Sequence, residues 1–331
     1  MTRRFAFLLL AVATFADLAR AQDFDPDEMA TFSIVARDPV TGELGECVTS
    51  KALAGGDGGL TVKGGVGVIA HQASRSPMYG KLGIMLLEMG MSPREALEIM
   101  QRTDETPERR QIGIIDIQGR TAVYTNGGAS SGPPGRWRGH RCGNDYCAQG
   151  NSLAGPEVVK AVANSFESSS GPLAERLMAA IDAGQAAGGD ARGKQTAVLI
   201  VAKPMASRGG WSDRVVDFRV DDHPEPMREL RRIYNKKVSG SMIREGNIRL
   251  NDGDLAGGLE VLIAASELSP DNDNVWVALA IGYLKNGRKE EALDALGKAI
   301  KLNPNNKTRL PSNQNFQSIV EDPEFLKIVG N

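Results

Sequence analysis

Several things are scarce in this sequence, and each scarcity excludes something. Only 5% of the 331 residues are aromatic, so there is little from which to build a stacking platform or an aromatic-lined groove. There are three cysteines and three histidines, with no HExxH and no paired-ligand spacing, which speaks against a metal site. A net charge of −2 offers no basic face for nucleic acid. Beyond residue 21 no apolar run is long enough to span a bilayer. The glycine-rich stretch KALAGGDGGL is not followed by GK[ST], so it reads as turns and not as a phosphate loop. No metal, cofactor or nucleic acid is expected. What remains is the composition of a soluble globular chain, 41% hydrophobic and 24% charged, with 38 glycines. Its length suits about two domains of roughly 100–200 residues each.

The first residues read as a targeting segment. Arg3 and Arg4 precede the apolar run FAFLLLAVATFA, and Ala19-Arg20-Ala21 has the form of a cleavage site. Residues 1–21 are therefore read as a signal peptide and 22–30 as a leader, with a periplasmic or secreted product and no membrane span after cleavage. In an oxidising compartment Cys142 and Cys147, separated by the turn-like GNDY, can bridge the two arms of a hairpin. Cys47 is left over as a small buried hydrophobe.

Residues 30–51 open the fold as a hairpin. Thr31, Ser33, Val35 and Arg37 alternate with Phe32, Ile34 and Ala36, the period of two of a half-buried strand. DPVTG supplies the turn: Asp38 bonds nearby amides, Pro39 fixes φ and Gly42 tolerates positive φ. GVGVIAHQ follows as a buried strand, and two helices are predicted over 77–90 and 92–102. The second has Ser92, Pro93 and Glu95 arranged as a capping box. RQIGIIDIQGRTAVYT reads as a second hairpin. The stretch NGGASSGPPGRWRGHRCGND reads as loop, followed by the strand YCAQGN and helices over 155–168 and 171–187. TAVLIVAK is a continuous apolar strand, RVVDFRVDD a last strand, and HPEPMRELRRIYN a closing helix. Strands in runs with helices in pairs fit an α+β fold with antiparallel sheets and helices outside.

Near Lys236 the composition shifts and a repeat begins, with 34 residues from Pro270 to Pro304. VWVALAIGYLKNGRKEEALDALGKAIKLNP carries Trp276, Leu279, Gly282, Tyr283, Ala292 and Pro304 in the tetratricopeptide pattern. An upstream copy is weaker, with Met242 and Arg249 where the pattern has aromatic residues. Gly246 and Gly258 fall where two helices must approach closely. PEFLKIVG is expected to cap the array. The domains expected are 31–236 and a small all-α helical region over 240–331.

The segments TFSIVARDPVTGELG, GGVGVIAHQ, MYGKLGIMLLEMGMSPREAL, RQIGIIDIQGR, QGNSLAGPEVV, GPLAERLMAAIDAGQAAGGDARGKQTAVLIV and VDDHPEPMRELRRIY resemble, in order, the bacterial family named domain of unknown function 1028, of the N-terminal-nucleophile (Ntn) hydrolase superfamily. The resemblance implies a four-layer αββα sandwich. In that class a Thr, Ser or Cys at the chain's first position attacks a carbonyl, and its own α-amino group serves as base. A nearby lysine lowers the nucleophile's pKa. Thr31 is then the candidate nucleophile, Lys63 its electrostatic support and Ser33 a fallback nucleophile. Asn151 and Gln149 are candidates to present amide donors to an oxyanion. Gln72, Asp190, Arg192 and Gln195 are candidates to orient a polar substrate.

A leader ahead of Thr31 blocks its amine, so catalysis of this kind needs a second cut between Ala30 and Thr31. Two readings follow. In one, the protein is an exported hydrolase of an amide or related C–N bond, with a small amide or peptide-like substrate and a protein partner on the repeats. In the other, the domain is catalytically silent and the protein is a periplasmic interaction module. A homo-oligomer stays open in both.

Overall fold

The computed structural model describes residues 31–56, 59–74, 76–126, 136–206 and 210–330, and the expected signal peptide and leader lie outside them. The chain divides into two compact units between Leu230 and Arg231.

Among the described residues the first unit holds ten strands in two antiparallel sheets. A six-stranded sheet has the order β10-β9-β2-β1-β8-β7, built from Arg214–Val220, Thr196–Ala202, Leu44–Ser50, Thr31–Arg37, Tyr146–Leu153 and Trp137–Gly143. A four-stranded sheet has the order β3-β4-β5-β6, built from Leu60–Lys63, Gly67–Ala73, Arg110–Asp116 and Thr121–Thr125. The sheets pack face to face. Val35, Leu44, Val48, Val198, Ile200 and Ala202 of one meet Val62, Val68, Ala70 and Ile115 of the other in one buried cluster.

Helices cover the outer faces. α1 (Pro77–Glu88) and α2 (Pro93–Thr103) pack Tyr79, Ile84, Leu97 and Met100 on Ile69, Ile112 and Ile114. α3 (Pro156–Ser168) and α4 (Leu173–Ala186) cover the larger sheet. There Gly184 lies so close to Phe32 that a methyl group would come within 2.8 Å of the ring. Phe32 and Ile34 therefore face helices, while Thr31, Ser33 and Val35 face the opposite sheet.

Local chemistry explains the junctions. In the β1–β2 turn the Asp38 carboxylate accepts from the amides of Val40 (2.8 Å) and Thr41 (2.9 Å), and Gly42 has φ +69°. The capping box of α2 is complete: Ser92 Oγ accepts from the Glu95 amide while Glu95 accepts from the Ser92 amide. Cys142 and Cys147 are register partners on β7 and β8 and form a disulfide; Cys47 lies outside it and is buried.

Three expectations need correction. The stretch around WRGHRCG is not loop but β7. It is an edge strand with two arginines and mostly half-buried residues, so it lacks the apolar signal of its neighbours. LTVK, at the end of the glycine stretch, is the short strand β3. The closing helix does not stop near Asn235. α5 runs unbroken over Pro226–Asn251, because nothing from Asn235 to Gly246 is a proline and isolated glycines such as Gly240 and Gly246 are tolerated in a helix.

The second unit is helical. After α5 come α6 (Leu255–Leu268), α7 (Asp273–Lys285), α8 (Lys289–Leu302), the short α9 (Asn306–Arg309) and α10 (Pro323–Val329). Gly246 of α5 lies against Gly258 of α6, where a methyl group on Gly258 would come within 2.9 Å of the Gly246 carbonyl oxygen. Phe325 and Val329 of α10 close the core formed with Leu296 and Ile300. Among the described residues no helix is long and apolar enough to cross a membrane.

Candidate functional site

The register of the larger sheet sorts its inner face into rows. The row at the end where β1 begins is polar throughout: Thr196, Ser50, Thr31 and Asn151 are successive partners across β9, β2, β1 and β8. The next is mixed, Val198, Val48, Ser33, Gln149 and His140. The third is apolar but for one residue, running Ile200, Glu46, Val35 and Cys147. Facing the polar rows from the smaller sheet are Gln72, Gln111 and Thr125, themselves register partners. The two sheets thus enclose an apolar core at one end and a hydroxyl–amide layer at the other.

Thr31 sits at the head of this layer, 5% exposed. Its Oγ1 lies 3.0 Å from Ser50 Oγ. Its carbonyl accepts from Gln72 Nε2 at 3.1 Å. Ser33 donates from Oγ to Gln72 Oε1 at 3.0 Å. An amide oxygen cannot take up a proton at ordinary pH, so this contact orients Ser33 without activating it. Gln72 Nε2 also donates to Gln111 Oε1 (2.7 Å), as does Asn151 Nδ2 (2.8 Å). Gln111 Nε2 donates to the Gly150 carbonyl at 2.9 Å and lies 3.2 Å from Thr125 Oγ1. Thr125 Oγ1 in turn meets His140 Nδ1 at 2.9 Å. Burial pulls the imidazole of His140 below its ordinary pKa and favours the neutral ring.

The structure gathers Thr31, Ser33, Gln72, Gln149 and Asn151, all named from the sequence. It adds Ser50 and Gln111, which sequence reasoning missed. Gln111 carried a signal, being a polar residue at the head of the apolar run IGIID in a strand buried along its whole length. Ser50 carried none until pairing set it beside Thr31.

Asp190 closes the row from outside. Its carboxylate accepts from the Lys51 amide (2.9 Å) and the Arg192 amide (2.8 Å), and Asp190 pairs with Leu153 in an isolated bridge. Asp190 therefore clasps the ends of β2 and β8, and the Arg192 side chain turns back to it at 3.2 Å. The Gln195 side chain leaves the site and donates to Asp222 at 3.1 Å, while its backbone amide holds the Ser50 carbonyl at 3.1 Å.

One role read from the sequence does not fit. Lys63 pairs with Gly67 at one end of β4, whereas Gln72 touches Thr31 near the other end, about 16 Å along the strand. The Lys63 ammonium is instead ion-paired on the surface with Glu88 of α1. β3 runs away from the polar end, from Leu60 opposite Ala70 to Lys63 opposite Gly67, and so carries Lys63 off from Thr31. Asn151 lies beside Thr31, and its Nδ2 gives one of its two N–H groups to Gln111 Oε1. Gln149 Nε2 is directed at the Ala70 carbonyl, at 3.4 Å. One N–H of each of these two amides thus points toward the opposite sheet. His71 is buried under α1 against Tyr79, with ring centroids 6.2 Å apart, and faces away from Thr31. Among the described residues no three His, Cys, Asp or Glu side chains are grouped to hold a metal ion.

Comparisons with known proteins bear on both units. The profile described as "Family of unknown function (DUF1028)" matches residues 31–230, and that of the tetratricopeptide repeat matches residues 274–306. Among solved structures, the crystal structure of protein SPO2555 from Silicibacter pomeroyi, itself ascribed to DUF1028, is similar. It shares 28% identity at a TM-score of 0.55, over 62% of this chain and 85% of that one. No curated protein matches.

Proposed function

The chain belongs to the DUF1028 family of unknown function, and we propose that it is an exported hydrolase of the Ntn type that cleaves an amide or related C–N bond. One observation carries this reading. Thr31 heads a central strand with its hydroxyl 3.0 Å from Ser50, in a buried polar layer between two sheets that are otherwise packed with aliphatic side chains. A threonine in the interior of an ordinary sandwich has no need of such surroundings.

In this reading a cut between Ala30 and Thr31 frees the α-amine. The amine takes the proton of Thr31 Oγ1 as that oxygen attacks the substrate carbonyl. An acyl-enzyme ester forms on Thr31, the amine returns the proton to the leaving nitrogen, and water then releases the acid. Ser50 steers the hydroxyl, and Gln72 holds the Thr31 carbonyl. The freed amine, near neutrality in pKa, does the work that Lys63 is too distant to assist. The test is the N-terminal mass of the protein from its own compartment together with turnover of a panel of amides. A chain that begins at Thr31 and turns over an amide supports the reading. A chain that keeps residues 22–30 and is inert to the whole panel refutes it.

A second reading rests on the tetratricopeptide match over residues 274–306. Stacked helical repeats expose extended surfaces for protein partners. On this reading the repeat unit captures a protein partner whether or not the front unit is catalytic, and a partner captured equally by wild type and by Thr31→Ala supports it.

A further inference from the structure

The amide orientations in the polar layer are dictated by the backbone. Gln111 Nε2 faces the carbonyls of Gly150 (2.9 Å) and Gly139 (3.3 Å). Carbonyls only accept, so the nitrogen must lie on that side and Oε1 on the other. There Oε1 receives Gln72 Nε2 and Asn151 Nδ2, which turns the remaining atom of Asn151, Oδ1, away from Gln111. Asn151 Oδ1 is buried with no hydrogen-bond partner among the described residues, on a residue 5% exposed and directly across from Thr31 in register. Gln149 Oε1 also lacks a partner, but it lies on Gly113, where a methyl group would come within 3.2 Å of it. Of these two oxygens, only that of Asn151 belongs to a residue paired with Thr31.

A buried acceptor without a donor is unfavourable unless something supplies one. We infer that Asn151 Oδ1 accepts an N–H from a ligand bound next to Thr31, so that the site takes uncharged amides and refuses carboxylates, with Gln111 as the positioning residue that sets this preference. The inference rests on reading the surroundings of Thr31 as a ligand site, and it does not require turnover.

The experiment titrates the ¹⁵N-labelled full chain with acetamide and, at matched ionic strength, with acetate, following the backbone amides of Thr31 and Gly150. The expected result is saturable shifts with acetamide and binding of acetate weaker by about tenfold or more, since acetate would set one acceptor against another. Gln111→Met, which frees Asn151 to turn, should abolish the preference. If that variant does not fold, Asn151→Asp serves instead: it offers oxygen only, so acetamide should still bind and acetate should not. Equal or tighter binding of acetate by wild type, or saturation by neither probe, overturns the inference. Thr31→Ala should lose turnover and keep the preference. Wild type that prefers acetamide but hydrolyses nothing sinks the hydrolase reading alone, and hydrolysis without the preference sinks this inference alone.

Discussion

Thr31 and Ser50 stand opposite one another on β1 and β2, their hydroxyl oxygens 3.0 Å apart. Every other candidate is defined by its relation to this pair. Asn151 flanks Thr31 on the other side, and Gln72 bonds its carbonyl.

Thr31→Ala should reduce turnover of any amide substrate by about 10³-fold or more, because the neighbouring Ser50 hydroxyl has no α-amine of its own to serve as base. Ser33→Ala should leave turnover within a few-fold, since Ser33 is spent on Gln72. Ser50→Ala should lower kcat while the fold persists, at a cost of about 1 kcal/mol in stability. Steady-state kinetics on the three variants separates the roles, and a fully active Thr31→Ala would rule out the nucleophile.

Glu46 predicts an unusual pH dependence. It is wholly buried between Val35 and Ile200, with no hydrogen bond to its carboxyl among the described residues, and burial pushes its pKa well above the ordinary carboxylate range. The folded protein keeps a proton that the unfolded chain releases near pH 4.5. Stability contributed by this group is therefore complete below that pH and is lost as the pH rises toward the folded value. Glu46→Leu should remove this slope and stabilise the protein at neutral pH by roughly 1–3 kcal/mol. Thermal unfolding of both proteins from pH 4 to 9 would expose the difference, and parallel curves would contradict it.

Asp104 predicts the opposite slope. Hydrogen bonds from the Arg110 guanidinium, at 2.7 and 2.9 Å, hold its carboxyl down at about 2. Its contribution is full above the ordinary value of 3.8 and fades as the pH falls toward 2. Arg110→Met strands a nearly buried carboxylate and should cost about 3 kcal/mol. Denaturant unfolding at pH 7 measures this, and a loss much below 1 kcal/mol would show that the pair is merely tolerated.

In the helical unit, Gly258→Ala should cost about 1–3 kcal/mol, because the new methyl group meets the rigid Gly246 carbonyl at 2.9 Å. Gly297→Ala, with open space around it, should be neutral or slightly stabilising. Circular dichroism melts of the two full-length variants make the comparison internal.

What the sequence determined by itself was local. The DPVTG turn, the Ser92–Glu95 capping box, the period-two alternation of β1 and the tetratricopeptide spacing depend on residues a few positions apart, whose backbone preferences act alone. The same locality made Thr31 and Gln72 legible as polar residues at strand ends. Only the tertiary structure decided which of them meet. Strand order puts Ser50 and Asn151 on either side of Thr31 from 19 and 120 residues away in the chain, and sheet stacking brings Gln111 over them. The direction in which an amide faces is set by carbonyls on other strands, so Asn151 was readable as a neighbour of Thr31 but not as an acceptor. Lys63 shows the converse. Its spacing from Thr31 fitted a catalytic pattern, yet where the chain turns back after β3 depends on which strand Leu60–Lys63 pairs with, and spacing along a chain carries no information about that partner.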